Sequence, residues 1–184
     1  MEDYKNLTDE QLVELVRSKD EELYAEIIKR YKDRLLRYAQ YLLLDREQAA
    51  DVVQEAFIKA YINLHGFNTK RKFSSWIYRI VHNEAVNLLK KEKRWIKMDE
   101  KFDFKSQEDI QDDLIKRELE ENLQACLENM PVIYKEPLVL YYLDGKSYDQ
   151  ISEILRIPEK TVATRLRRAK SLLKKICQRK KVNL

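Results

Sequence analysis

Residues 147–175 constrain the fold most, because they contain signals for two helices separated by a tight corner. Ser147, with Gln150 three residues later, has the form of a capping box, which predicts that a helix begins there. Pro158 cannot continue that helix but suits the first turn of a new one. The sequence therefore predicts a corner at residues 156–157 and, with it, a helix-turn-helix.

The second helix of this pair has an apolar stripe that we expect to pack on the first helix. The stripe consists of Val162, Leu166, Ala169, Leu173 and Ile176. Arginine can pair bidentately with guanine, and lysine and threonine can reach base edges or phosphates. We interpret the opposite side as a face for the DNA major groove, the alternative being an ordinary solvated surface. It holds Lys160, Thr164, Arg167, Arg168 and Ser171, with Thr161 and Ala163 on its flanks.

The composition predicts an all-α fold. The chain has 184 residues with only 2 Gly and 3 Pro, and no convincing strand-like alternation interrupts the helical pattern. We predict two helical domains, residues 1–96 and 114–184, joined by an acidic linker at residues 97–113. The C-terminal domain is expected to be a four-helix unit that contains the helix-turn-helix.

The net charge of +4 conceals a segregation along the chain. Residues 156–181 carry 11 Lys and Arg against Glu159 alone, and residues 70–97 carry 9 against two acids. Residues 99–128, in contrast, hold 11 acids against 4 bases. Two separate basic regions favour an anionic partner such as nucleic acid.

Several classes of protein are disfavoured by what the sequence lacks. It has no signal peptide and no apolar run of membrane-spanning length, so we expect a cytoplasmic protein without membrane insertion. Cys126 and Cys177 form no CxxC pair, and His65 and His82 lack companions at ligand spacing, so we expect no metal and no cofactor. No nucleophile–base pair or glycine-rich phosphate loop is visible, and an enzyme is the least favoured interpretation.

The N-terminal region has three helix-start signals, a capping box of Thr8 with Gln11 and possible caps at Asp20 and Asp45. The helix from Asp20 keeps one apolar stripe, which runs from Leu23 through Ile27, Tyr31, Leu35 and Tyr38 to Leu42. On the next helix, polar side chains share the exposed side. They are either solvated, which spacing alone favours, or form a docking surface for a basic partner. The polar side chains in question are those of Asp51, Gln54 and Glu55.

A basic loop at residues 65–75 precedes the next predicted helix. A basic face with aromatics and amides suits unpaired nucleic acid, because it offers charge, stacking and base-edge hydrogen bonds together. Trp76 is better explained as a core residue, whereas Phe67 fits either the core or a stacking role. The outward face of the helix holds Arg79, Asn83, Asn87, Lys90 and Lys91.

Three segments together resemble the bacterial extracytoplasmic-function (ECF) sigma factors of the sigma-70 family. DREQAADVVQEAFIKAY (Asp45–Tyr61) is similar to the family's helix for binding core polymerase. FSSWIYRIVHNEAVNLLKKEKR (Phe73–Arg94) is similar to its promoter-melting and minus-ten recognition helix. PLVLYYLDGKSYDQISEILRIPEKTVATRLRRAKSLL (Pro137–Leu173) is similar to its helix-turn-helix for the minus-thirty-five element.

The resemblance implies a promoter-specificity subunit that binds core RNA polymerase and directs transcription initiation. Asp51, Gln54 and Glu55 match the motif that grips the clamp helices of the largest polymerase subunit. Asn83 and Asn87 match positions that face the non-template strand, and the loop at residues 64–75 matches one that holds a flipped-out minus-ten base, with Phe67 lining the pocket. Core RNA polymerase, promoter DNA and an anti-sigma factor are the implied partners.

Two positions depart from the family pattern. Asn87 stands where many members have Asp, and Ala163 stands where many have Lys or Arg in the recognition helix. Because Ala163 cannot donate a hydrogen bond, the preferred minus-thirty-five sequence cannot be carried over. Two other functions remain open, a stand-alone dimeric helix-turn-helix regulator and an adaptor or anti-sigma protein whose basic faces contact acidic proteins.

Overall fold

A computed structural model describes residues 4–18, 20–92 and 127–182. The all-α prediction is confirmed, since these residues form seven α-helices, the end of another helix before Pro131, and no β-strand. They make two compact units, the first containing α1 to α3 and α4 through Asn87, the second containing most of the rest. The helices are α1 (Asp9–Ser18), α2 (Tyr24–Leu43), α3 (Arg46–Ile62), α4 (Phe73–Lys91), α5 (Val132–Leu138), α6 (Tyr148–Leu155) and α7 (Glu159–Val182).

The helix starts of the first unit follow the predicted caps. The Thr8 amide donates to Gln11 Oε1 at 2.9 Å, and the Gln11 amide donates to Thr8 Oγ1 at 3.2 Å. Asp20 accepts from the Glu22 amide and thereby caps a short 3-10 helix that leads into α2. Asp45 accepts from the amides of residues 47 and 48 at the start of α3.

Helices α2 and α3 pack extensively against each other in the core of the first unit, and α4 contributes the buried Phe73 and Tyr78. The predicted stripe on α2 is buried from Ile27 to Leu42. Two buried tyrosines of α2 donate hydrogen bonds: Tyr24 donates to the Phe57 carbonyl at 2.7 Å, and Tyr31 donates to Asp9. Burial raises the pKa of both tyrosines above the usual value, so these hydroxyls stay protonated donors.

Beyond the last turn of α4, the described part of the second unit begins at the end of a helix before Pro131. Pro131 is the N-cap of α5, which continues into a π-helical turn at Val139–Leu143. Ser147 and Gln150 form the predicted capping box at the start of α6. The predicted linker, the domain start at residue 114 and the helix expected from Leu119 lie outside the described residues, apart from that helix's last turn.

The apolar stripe of α7 is buried, and α7 packs against α5. Packing of the stripe on α6, the first helix of the helix-turn-helix, stays a prediction. Val162, Leu166, Ala169 and Leu173 are all buried as predicted.

Residues 4–18, 20–92 and 127–182 contain neither a candidate membrane-spanning helix nor a candidate metal site. No helix there combines the length and the apolar character needed to cross a bilayer. The same residues contain no cluster of three or more His, Cys, Asp or Glu side chains able to hold a metal ion.

Candidate nucleic-acid and protein-docking surfaces

The predicted docking face, called the docking face below, consists of Asp51, Gln54 and Glu55, which are all exposed on α3. Asp51 and Glu55 lie one helical turn apart, so their carboxylates point the same way. Glu55 also pairs with Lys59, one turn further on, at 3.3 Å. The face is therefore acidic and accessible, as a site for a basic partner requires.

Lys59 also reaches from α3 to α4. Its Nζ lies 2.7 Å from Glu84 Oε2, and this hydrogen bond, with the weaker one to Glu55, raises the pKa of Lys59. Glu84 is the only acid of α4. The lysine thus offsets the one negative charge that would otherwise stand beside the amide and cationic side chains of that helix.

An apolar groove of about 780 Å³ runs beside the docking face between α2 and α3. Ile58 and Tyr61 contribute to its wall and are 47% and 40% exposed, which is unusual for such large apolar side chains. Glu21, Glu22 and Gln54 also line it. The sequence does not predict this groove, and its one signal is that Ile58 and Tyr61 lie off the buried stripe of α3.

The face predicted for minus-ten DNA, called the minus-ten face below, lies along α4. Asn83 and Asn87 are exposed one turn apart, so their amides are presented in line. Lys90 and Lys91 are exposed in the last turn, and Arg79 is half-buried one turn before Asn83. The helix therefore brings together the amides and cations predicted for it.

The loop between α3 and α4 contains one predicted site residue, Phe67, and its side chain is buried. Phe67 is 5% exposed, and its ring lies 5.5 Å from Phe73 and 5.0 Å from Trp76, measured between centroids. Of the two roles left open for Phe67, core or stacking, its burial favours the core. From that position its ring can form only the floor of a pocket for a base. The accessible cations of the loop, which sequence reasoning had not singled out, are Lys70, Arg71 and Lys72.

The corner of the helix-turn-helix is held by neighbouring residues. Arg156 ends α6 in the left-handed conformation with φ 53°, and its amide donates to the Ser152 carbonyl. The Ser152 hydroxyl in turn donates to the Ile157 carbonyl at 2.6 Å. The Pro158 carbonyl then accepts from the amides of Thr161 and Val162 in the first turn of α7. The corner thus falls at the predicted residues.

The face predicted for minus-thirty-five DNA, called the minus-thirty-five face below, lies on the outer side of α7. Lys160, Ala163 and Arg167 are exposed, so Ala163 lies near the centre of the accessible side and not on its flank. The Thr164 hydroxyl donates to the Lys160 carbonyl at 2.9 Å, which leaves its oxygen as an acceptor for a ligand. The other predicted residues of this face are half-buried: Thr161, Thr164, Arg168 and Ser171.

Comparison with known proteins identifies the family. Residues 27–95 match Sigma-70 region 2, and residues 120–173 match Sigma-70, region 4. The ECF RNA polymerase sigma factor SigW of Bacillus subtilis is 33% identical over 174 residues, which cover 89% of this chain and 93% of SigW. The chain belongs to the ECF sigma factors. The ECF sigma-E factor of Haemophilus influenzae is 31% identical over 92% of this sigma factor and 95% of its own length.

Solved structures show the same fold. CnrH, in complex with the cytosolic domain of CnrY, matches with a TM-score of 0.70 at 22% identity, over 92% of this chain and 97% of CnrH. The sigma factor RpoE of Bartonella quintana, in complex with the anti-sigma factor NepR, matches with a TM-score of 0.65 at 19% identity, over 84% and 96% of the two chains. All predicted site residues of this ECF sigma factor lie in the two matched regions, whereas α1 lies outside them.

Proposed function

We propose that this ECF sigma factor recruits core RNA polymerase to promoters and that its three faces divide the task. The observation that carries the proposal is the order of region 2 and region 4 in one chain, each with an accessible cationic helix. Residues 1–96 form the domain for polymerase and minus-ten DNA, residues 97–113 link the domains, and residues 114–184 form the domain for minus-thirty-five DNA.

The docking face and the adjacent groove together receive a helix of the largest polymerase subunit. Asp51 and Glu55 attract basic side chains, and the exposed apolar walls at Ile58 and Tyr61 accept apolar ones. Charge complementarity supports this choice of occupant, because Glu21 and Glu22 extend the acidic rim along the same groove. An amphipathic helix with a basic edge satisfies both requirements.

The minus-ten face holds unpaired non-template DNA. Asn83 and Asn87 offer amides to base edges, while Arg79, Lys90 and Lys91 neutralise phosphates. The loop before α4 holds a base that has left the stack, with Phe67 beneath the pocket and exposed loop residues around it. Base capture there offsets part of the cost of unstacking.

The minus-thirty-five face enters the major groove of duplex DNA. Arg167 and Arg168 are the candidates for guanine, and Lys160, Thr161, Thr164 and Ser171 contact base edges or phosphates. Ala163 lets the helix approach the groove closely and reads no donor or acceptor pattern itself. Discrimination at that position then comes from apolar contact, such as with a thymine methyl group.

The sigma factor itself performs no chemical step, since polymerase forms the phosphodiester bonds. It acts in the cytoplasm, where core polymerase and the chromosome are found, and an anti-sigma factor regulates it by covering its faces. Support for such a partner comes from the similar RpoE of Bartonella quintana, which was solved in complex with the anti-sigma factor NepR.

Run-off transcription tests this function. Core polymerase from the source organism is given genomic fragments with and without the protein, and discrete new start sites are expected only when it is present. The triple variant Asp51→Ala, Gln54→Ala, Glu55→Ala should abolish them, because it removes the acidic docking face. A matched control replaces residues of the same three types that are exposed elsewhere on α2 and α3, namely Asp33, Gln40 and Glu47.

The outcomes separate the candidate functions. Start sites that vanish in the docking variant and persist in the control establish sigma activity and give the promoter sequences. Absence of transcripts, together with a DNA mobility shift by the protein alone, would instead favour the stand-alone helix-turn-helix regulator.

A further inference from the structure

The loop between α3 and α4 is held at its start by an arginine of a distant helix. Arg17 of α1 donates from Nε to the Leu64 carbonyl at 2.9 Å and from Nη2 to the carbonyls of Leu64 and Phe67. Its side chain is only 14% exposed, and Nη1 pairs with Glu14 at 3.3 Å. One planar guanidinium thus fixes two backbone carbonyls three residues apart.

The end of the same loop is held by a second residue of α1. The Phe73 amide, at the first position of α4, donates to Glu10 Oε1 at 2.9 Å. An acid there satisfies an amide that has no partner within the helix and interacts favourably with the helix dipole. Glu10 and Arg17 are two turns apart on α1, about 10 Å along its axis, and therefore lie on the same side.

Helix α1 is itself fixed to α2. Arg30 of α2 donates to the carbonyls of Leu7 at 2.9 Å and Tyr4 at 2.6 Å, and it pairs with Asp9 at 3.0 Å. Tyr31 donates to the other oxygen of Asp9. Since Leu12 is also fully buried, α1 has little freedom to shift along the core.

The part of the loop that remains accessible is short and has a defined shape. Asn68 Oδ1 accepts from the Lys70 amide at 3.0 Å, and the Arg71 amide donates to the Asn68 carbonyl at 2.9 Å, which forms a turn. Phe67, directly before this turn, is fixed by its ring inside and by Arg17 on its carbonyl. The direction in which residues 68–72 project is therefore set by α1.

We propose that α1 is a brace for minus-ten recognition, with Arg17 and Glu10 as positioning residues that hold the loop in the shape that reads a captured base. This inference rests on the proposed function, and it assigns a role to a helix outside the matched residues 27–95. Both residues contact the loop backbone, so they act on DNA only through the loop. A recognition site must be held within about 0.5 Å of its productive geometry, which explains why a brace is needed.

The test compares sequence discrimination with general affinity. Wild-type start sites from run-off transcription define the minus-ten sequence, and single-stranded oligonucleotides of that sequence and its single-base substitutions are titrated with the full-length protein. In Arg17→Met and Glu10→Ala we expect the affinity ratio between matched and substituted oligonucleotides to fall about five- to tenfold. Arg17→Lys keeps the charge but not the fork that spans both carbonyls, so it should show the same loss.

Two further readouts distinguish positioning from other roles. Affinity for core polymerase should stay within about twofold of wild type, and the slope of oligonucleotide affinity against salt should not change, because Arg17 contacts no phosphate. Arg34→Met, an exposed arginine of α2, is the matched control and should leave the affinity ratio unchanged.

Unchanged discrimination in Arg17→Met, Arg17→Lys and Glu10→Ala would overturn the brace. Parallel loss of polymerase affinity in both Arg17 variants would also overturn it, because Arg17 would then be a general stabiliser. A wild-type protein that directs no start sites refutes the proposed function instead, so the two failures are distinguishable.

Discussion

The two units place their recognition elements by different means. In the first unit, the loop before α4 is held by Arg17 and Glu10, which lie 47 to 63 residues away in sequence. In the second unit, the corner before α7 is held by Ser152 and Pro158, whose partners lie within five residues. One recognition element therefore depends on the tertiary fold and the other on local chemistry.

Because the loop and the corner are held differently, they should respond differently to amino-acid substitutions. A local corner needs only its own helix starts and stops, which nearby side chains supply. A loop held from another helix also loses its shape when that helix shifts or opens, even though no residue of the loop has changed. We therefore expect perturbations to spread within the first unit and to remain confined within the second.

Removing Phe73 should have the largest effect. Its ring is fully buried and lies 5.5 to 5.6 Å from Tyr31, Phe67 and Trp76, so it joins the loop to α2. We expect Phe73→Ala to lower the unfolding free energy of the first unit by about 3–5 kcal/mol. Urea unfolding followed by Trp76 fluorescence measures this in a Trp95→Phe background, where Trp76 is the only tryptophan left.

A matched control for this variant is Ile62→Ala, because Ile62 is 70% exposed. It should change the same free energy by no more than about 0.5 kcal/mol. Equal losses in the two variants would contradict the assignment of Phe73 to the core that supports the loop.

Paired cap deletions should have an intermediate effect and test how far a local change spreads. Ser147→Ala and Thr8→Ala each remove a capping box and should each cost about 1 kcal/mol, or about fivefold in the amide exchange rates of α6 and α1. Only Thr8→Ala should also accelerate exchange at Phe73, whose amide bonds to α1. Accelerated exchange at Phe73 in Ser147→Ala would remove the contrast between the units.

These caps were visible in the sequence because both partners lie three residues apart. The same locality made the corner at Arg156 predictable from Pro158, and periodicity was enough to predict the buried stripe of α2. The bonds from Arg17 to Leu64 and Phe67 could not be predicted, because no sequence pattern links side chains to carbonyls 47 and 50 residues away. Phe67 remained undecided for the same reason, since only the tertiary fold shows what covers its ring.

The smallest effect is expected from two residues that end helices in the left-handed conformation. Leu44 and Arg156 have φ of 59° and 53°, which costs free energy for residues other than glycine. Arg156→Gly should raise stability by about 0.5–1 kcal/mol, because its exposed side chain contributes little packing. Leu44→Gly should gain less, since the half-buried Leu44 loses contacts with the rest of the first unit.

Urea unfolding followed by circular dichroism measures both substitutions. A loss of stability in Arg156→Gly would show that its side chain helps to hold the corner. The purely local account of the second unit would then be incomplete.

Where a helix could be predicted from the sequence, the residues on its exposed face could be predicted too. Helical spacing was enough to place Asn83 and Asn87 on one side of α4, because both lie on a single regular helix. The apolar groove was not predicted, since its walls come from α2 and α3 and only their packing brings Ala25 and Ile58 together. Sites made by one element can be read from sequence, whereas sites made between elements need the fold.

Hydrogen exchange in the double variant Glu10→Ala, Arg17→Met tests the central contrast most directly. Peptides covering residues 63–73 and 151–159 are followed by mass spectrometry in the full-length protein and in the variant. We predict exchange at least about tenfold faster in the loop and unchanged exchange at the corner, since only the loop depends on α1. Unchanged exchange in the loop, or equal acceleration in both peptides, would contradict the account.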